Sequence, residues 1–196
     1  LSAIKGGRLA QAFTGKAIYS LIISDVVGDP LDVIASGPTA ADSSAFADAM
    51  QILDRFKIRD QVPASIVPHL ERGAAGQIAE TPKAIASNVH NLVIGNNALA
   101  LAAAQACAEV LGYQVLNLGS FIEGETNQVA IVHAAIARSI RADNKPLAPP
   151  VCILSGGETT VTLSENSGKG GRNQEFVLAA LCKLGTSPNI TILSGD

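Results

Sequence analysis

Apolar and polar positions fall into blocks along this chain, and the block lengths suit strands and helices in turn. Residues 17–24 form a short, nearly continuous apolar run that predicts a buried strand. A long polar loop follows over 25–43, punctuated by Gly28, Pro30, Gly37 and Pro38. Loops of that length inside a compact domain usually carry function. Residues 44–56 set Phe46, Met50, Leu53 and Phe56 on one helical face, and Pro63 and Pro68 break the next stretch into short helices and turns. Residues 92–95 predict a short strand, Asn96-Asn97 a turn, 98–111 an Ala-rich helix stopped by Gly112, and 114–118 the next strand. Such a strand–helix–strand unit implies parallel strands joined by a right-handed crossover. Helical periodicity returns over 126–141. Beyond the prolines of 143–150, strands at 151–154 and 159–163 flank Ser155-Gly156-Gly157-Glu158. A Gly-rich loop at 167–171 leads into a helix over 173–184, and 190–193 reads as a last strand. At the amino end, Ser2 is placed to cap a short helix reaching Phe13.

The pattern predicts an α/β chain. Residues 1–145 read as a three-layer α/β/α, Rossmann-like domain with a parallel sheet. The three prolines of 143–150 mark a linker, and 146–196 begins a second α/β domain. Hydrophobic residues at 47% against 16% charged exclude a disordered tail, and the scarcity of aromatics suits layers closed by small side chains. A net charge of -3 with no basic stripe argues against nucleic acid as a partner. No apolar run has the unbroken length of a membrane span, and no signal peptide is evident. Cys107, Cys152 and Cys182 match no metal-binding spacing and sit in apolar runs, so they read as reduced core residues of a cytoplasmic protein. The chain opens at Leu1 without Met and stops at Asp196, just past a strand-like run. It therefore reads as an internal piece of a longer protein, expected to be inactive alone.

Four loops could carry chemistry, since ligands of open α/β sheets lie beyond the carboxyl ends of the strands. The first runs from Ser24-Asp25 through Asp29-Pro30 to Ser36-Gly37-Pro38-Thr39. Asp25 closes an apolar strand, where a carboxylate faces a ligand or metal, or simply caps a backbone N–H; local features favour the cap. In the second, Asn96 or Asn97 caps a helix whose free N–H groups could also take an anion. In the third, Gly156 and Gly157 allow a backbone nest for phosphate or carboxylate with Glu158 at its rim; a Gly-Gly hairpin is the alternative. The fourth, Gly168-Lys169-Gly170-Gly171-Arg172-Asn173-Gln174-Glu175, is the strongest. It brings three glycines, two cations and a helix N-terminus together as an anion site. It is neither a Walker A sequence nor a dinucleotide fingerprint. His69, His90 and His133 have no Ser, Cys or carboxylate at a telling spacing and read as solvated or capping. No Gly-x-Ser-x-Gly elbow is present.

Taken in order, Leu1-Ser2-Ala3-Ile4-Lys5-Gly6-Gly7-Arg8, Ser24-Asp25-Val26-Val27-Gly28-Asp29, Ile34-Ala35-Ser36-Gly37-Pro38-Thr39, Ser155-Gly156-Gly157-Glu158-Thr159-Thr160 and the Gly168–Glu175 run resemble the glycerate 2-kinase family. Its carboxy-terminal part is called the MOFRL domain, and some bacterial members bear the older label hydroxypyruvate reductase. The resemblance implies ATP- and Mg²⁺-dependent phosphorylation of D-glycerate at its 2-hydroxyl, in a cleft between two α/β domains. It implies further segments at both ends of this sequence. Beside it, Arg172, Lys5 and Asp25 stand as the candidate catalytic residues; Lys5 matches the family's Lys-Gly-Gly and either faces the cleft or braces a helix start. Ser36, Gly37, Thr39, Asn96, Ser155, Gly156, Gly157, Glu158, Thr159, Lys169, Gly171 and Asn173 would bind substrate or nucleotide, and Asp25, Asp29 or Glu158 would hold Mg²⁺. No membrane or nucleic acid partner is implied, and a homodimer is allowed. The rival readings are an NAD(P)H-dependent hydroxypyruvate reductase and a non-catalytic sugar-acid or nucleotide binding module. The first lacks its dinucleotide fingerprint.

Overall fold

A computed structural model describes residues 2–165 and 167–195. The chain is mixed α/β and divides into two compact units. One holds the residues up to Ser24 together with Asp29–Ile94. The other holds Asp25–Gly28 and the residues from Gly95 onward.

In the first unit, strands β1 (Ile18–Ile23) and β2 (Val89–Gly95) pair as a two-stranded sheet. Helix α1 (Arg8–Ala12) is shorter than the sequence suggested. Ser2 caps the turn before it, its Oγ accepting from the N–H groups of Ile4 and Lys5 at 3.3 and 3.2 Å. Gly6 and Gly7 then take positive φ, so the helix begins only at Arg8, with Gly7 as its N-cap. Helices α2 (Phe46–Phe56) and α3 (Ile66–Ala74) pack through Phe46, Leu53 and Leu70, all buried. The periodic face predicted for 44–56 is thus the face that folds inward, although Phe56 at its far end stays exposed.

In the second unit, α4 (Asn97–Val110) precedes β3 (Gln114–Asn117) and β4 (Ile122–Glu125). Helix α5 (Thr126–Asp143), strands β5 (Val151–Leu154) and β6 (Gly157–Thr160), and helix α6 (Arg172–Leu184) follow. Strand β5 lies parallel to β3, with Gln114 opposite Val151, and β6 lies parallel to β4, with Ile122 opposite Gly157. Helices α5 and α6 pack on small residues: Ala130 and Ala134, one turn apart, meet Ala180 and Leu184 in a buried cluster. Without long side chains between them the two backbones approach closely.

Several sequence expectations need correction. β2 and β3 do not form one crossover unit, because β2 pairs with β1 and β3 with β5. The strand expected at 159–163 lies earlier, over Gly157–Thr160, because its partner β4 fixes the register there. β4 itself was not foreseen. Residues 190–193 form no strand; Ile190 and Ile192 instead pack on the α5–α6 cluster. The parallel pair β3–β5 spans the proline stretch. The Gln114 side-chain amide donates to the Ala148 carbonyl at 2.7 Å and its backbone N–H to the Pro150 carbonyl at 3.0 Å. That stitching makes 143–150 an ordered return from α5 to the sheet.

Candidate functional site

The second unit gathers most of the predicted loops. β5 ends in Ser155, and Gly156 and Gly157 carry the chain directly into β6. Since β5 and β6 pair with different partners, this is not a hairpin. Close approach restricts both glycines, most firmly Gly157. A Cβ on Gly156 would overlap the Asn97 side chain, and one on Gly157, where φ is 149°, would overlap the Ile122 backbone. The Gly156 N–H donates to the Gly119 carbonyl at 2.9 Å, and its carbonyl accepts from the Ile122 N–H at 3.0 Å. The second predicted loop therefore meets the third: Asn96 caps α4, its Oδ1 accepting from the Leu99 N–H at 2.9 Å, while Asn97 leans on Gly156.

The third loop meets the fourth through charge. Arg172 opens α6, and its Nη1 donates to Glu158 Oε1 at 2.6 Å. Both side chains are about two-fifths exposed, so the pair sits at the surface where an incoming anion can share the guanidinium. Lys169, Gly170 and Gly171 precede Arg172 in an exposed run. Gly171 sits at the N-cap position without a side chain, so the first N–H groups of α6 have no side-chain cap. Asn173 Oδ1 accepts from the Ser194 hydroxyl at 2.7 Å.

Thr159 is tied into the framework. Thr126, fully buried, donates to the Thr160 carbonyl at 2.8 Å, which leaves its oxygen to accept from Thr159 Oγ1 at 2.9 Å. Ser155 has a partner that spacing along the chain could not reveal: His133 Nε2, 2.9 Å from its Oγ. His133 stands one turn after Val129 on α5, and only the packing of α5 against β4 and β6 brings it to residue 155. The reading of His133 as solvated or capping is corrected accordingly.

The first predicted loop is split. Asp25 is exposed and groups with the second unit, whereas Asp29, Ser36, Gly37 and Thr39 belong to the first. There the Lys5-Gly6-Gly7 and Ser36-Gly37-Pro38 segments run together: the Gly6 N–H donates to the Ser36 carbonyl at 2.8 Å and the Gly7 N–H to the Gly37 carbonyl at 2.7 Å. Thr39 is buried, its Oγ1 accepting from Ser20 at 3.0 Å and donating to Asn91 Oδ1 at 2.5 Å. Its hydroxyl anchors the loop to the sheet. Lys5 and Ser36 line an open groove of about 510 Å³ that also includes Arg8, Asp42, His69 and Thr81. Burial in this wall works to raise the Asp42 pKa. Hydrogen bonds from the Ser44 hydroxyl and N–H, then from Thr81, and the Lys83 charge outweigh it and hold the carboxyl below its ordinary value.

Among the described residues no three or more His, Cys, Asp and Glu side chains gather as a metal site. Glu158 is engaged by Arg172. The residues present therefore do not form a protein cage for a resident Mg²⁺; an ion that keeps its waters and enters with a nucleotide's phosphates asks for only one or two carboxylates.

Comparison with known proteins gives these contacts a context. Residues 1–71 match a family model described as a domain of unknown function, DUF4147, and 151–196 match the MOFRL family. The chain is 42% identical over 184 residues to a glycerate 2-kinase of Pyrococcus horikoshii, covering 94% of this chain and 42% of that protein. It is also 42% identical to an Agrobacterium vitis relative carrying the hydroxypyruvate reductase name, covering all of this chain and 43% of that one. A solved structure of glycerate kinase from Thermotoga maritima superposes with a TM-score of 0.78 at 34% identity, over 96% of this chain and 43% of that one. The chain thus spans about two-fifths of the length of these relatives. Residues 151–196 thus match the MOFRL family, and the chain as a whole is similar in sequence and fold to glycerate 2-kinases.

Proposed function

We propose that the protein carrying this chain transfers the γ-phosphoryl group of ATP, as its Mg²⁺ complex, to the 2-hydroxyl of D-glycerate. In that reaction the bond from the γ-phosphorus to the ADP oxygen breaks, a bond to the glycerate oxygen forms, and the hydroxyl proton is released. The observation that carries the reading is the Arg172–Glu158 contact. It joins the Gly-rich start of α6 to the Ser155–Glu158 loop, in a chain whose relatives are named glycerate kinases. Phosphoryl transfer asks a protein mostly for positioning and charge neutralisation. Arg172 and Lys169 are the cations for phosphate oxygens, and the backbone N–H groups at Gly171 and beyond add to them. Glu158 holds the Arg172 guanidinium in place until an anion arrives. Lys5, which matches the family's Lys-Gly-Gly, and Asp25 are the further candidate catalytic groups, and Ser36 lines the groove beside Lys5.

Cys107 and Cys182 are exposed and Cys152 is half-buried, so they are not the core residues the sequence suggested; all three are free thiols, which suits the cytoplasm as the proposed working compartment. The assay that tests the reading runs the natural protein with D-glycerate and MgATP, and separately with hydroxypyruvate and NADH. ADP release in the first and no NADH loss in the second is expected. NADH consumption without ADP release favours the reductase, and binding without turnover in either favours a binding module.

A further inference from the structure

The His133–Ser155 pair ties α5 to the turn that follows β5. His133 Nδ1 lies 2.8 Å from the backbone carbonyl of Val129, and Nε2 lies 2.9 Å from Ser155 Oγ. A carbonyl oxygen can only accept, so Nδ1 carries the proton. In the neutral ring Nε2 is then the lone-pair nitrogen, and Ser155 must be the donor between the two. The ring is held by an edge contact with Phe176 of α6, centroids 5.3 Å apart at 71°. Its direction is therefore set by packing as well as by both hydrogen bonds.

A serine hydroxyl has one proton and two acceptor lone pairs. With its proton committed to His133, Ser155 offers only lone pairs to anything arriving at the carboxyl end of β5. A phosphate or carboxylate oxygen, rich in lone pairs itself, is the wrong partner for such a group. A ligand hydroxyl, which donates, is the right one. We propose that His133 is a positioning residue that fixes Ser155 as a hydrogen-bond acceptor, so that Ser155 binds a hydroxyl of the sugar-acid substrate and not an anionic oxygen of the nucleotide. This rests on the functional reading above, and it reassigns Ser155 from the anion nest suggested by its neighbouring glycines. The Gly156 N–H points to the same conclusion, because it is committed to the Gly119 carbonyl.

The test uses the natural protein and three variants, Ser155→Ala, His133→Phe and the double substitution, with kcat and KM measured for D-glycerate and for MgATP. Each single variant is expected to lower kcat/KM for D-glycerate about tenfold while leaving KM for MgATP within about twofold. The double variant should be no worse than either single one, since the two residues act as a unit. A rise in KM for MgATP with D-glycerate kinetics untouched overturns the proposal, as does unchanged kinetics in both variants. ¹⁵N NMR of the histidine rings supplies a readout independent of activity. It should show His133 protonated at Nδ1 with a lone pair at Nε2, and a proton on Nε2 in the neutral ring overturns the proposal. If the wild-type protein fails to phosphorylate D-glycerate, the functional reading and the substrate assignment of Ser155 fall together. The nitrogen spectrum then still decides whether His133 fixes Ser155 as an acceptor.

Discussion

At the scale of single residues, the proposed phosphoryl transfer rests most heavily on Arg172. Its ion pair with Glu158 is half-exposed, and exposed pairs contribute at most about 1 kcal/mol to stability. Arg172→Ala should therefore unfold little while lowering kcat on the order of a hundredfold, the usual cost of removing an electrostatic clamp from a transition state. Arg172→Lys should restore part of the rate, since an ammonium cannot make the two-pronged contact. Steady-state kinetics beside circular dichroism checks this; near-wild-type kcat in a folded Arg172→Ala protein removes Arg172 from the site. Asp42 makes a different prediction. Its folded pKa lies below the ordinary value of 3.8, through hydrogen bonds from Ser44 and Thr81 and the Lys83 charge that outweigh burial. A depressed carboxyl stabilises the fold above its unfolded pKa and loses that contribution as pH falls through the folded value. Asp42→Asn should thus be less stable than wild type at pH 7, with the gap closing below about pH 4. Denaturant midpoints at the two pH values measure it, and a gap that stays constant with pH contradicts it.

At the scale of elements, the parallel pair β4–β6 depends on a single backbone position. Gly157 sits at φ 149°, with the Ile122 backbone where a Cβ would go. Gly157→Ala combines strain with overlap against immovable backbone and should cost roughly 3 kcal/mol or more. Thermal unfolding reads this directly; a melting temperature within a degree or two of wild type would show that the loop can shift. The same elements show what was legible in sequence. Helices α2, α4, α5 and α6 were readable from periodicity and caps, within a residue or two at most ends. Strand partners were not. Periodicity reports which residues turn inward, whereas pairing depends on which backbone edges meet, and Val151 carries no local mark that it will lie opposite Gln114. β4 was missed because Ile122-Glu123-Gly124-Glu125 has neither an apolar run nor clean alternation, and only β6 makes it a strand. The candidate site followed the same rule. Glycines and cations near residue 170 were visible as a cluster along the chain, while His133 and Ser155, 22 residues apart, meet only after α5 packs against β4 and β6.

At the scale of the whole molecule, family segments and compact units need not coincide. The MOFRL match begins at Val151, close to the boundary that the prolines suggested, yet β5 begins there as the partner of β3. A substitution at Val151 should accordingly disturb the segment around Gln114 as much as the residues after it. The claim that matters most concerns the product. The most direct measurement is phosphorus NMR, with mass spectrometry, of what the natural protein makes from D-glycerate and MgATP. The prediction is 2-phosphoglycerate in equal amount with ADP. Phosphate on the 3-hydroxyl, or ADP formed with free phosphate and no phosphorylated glycerate, would contradict it.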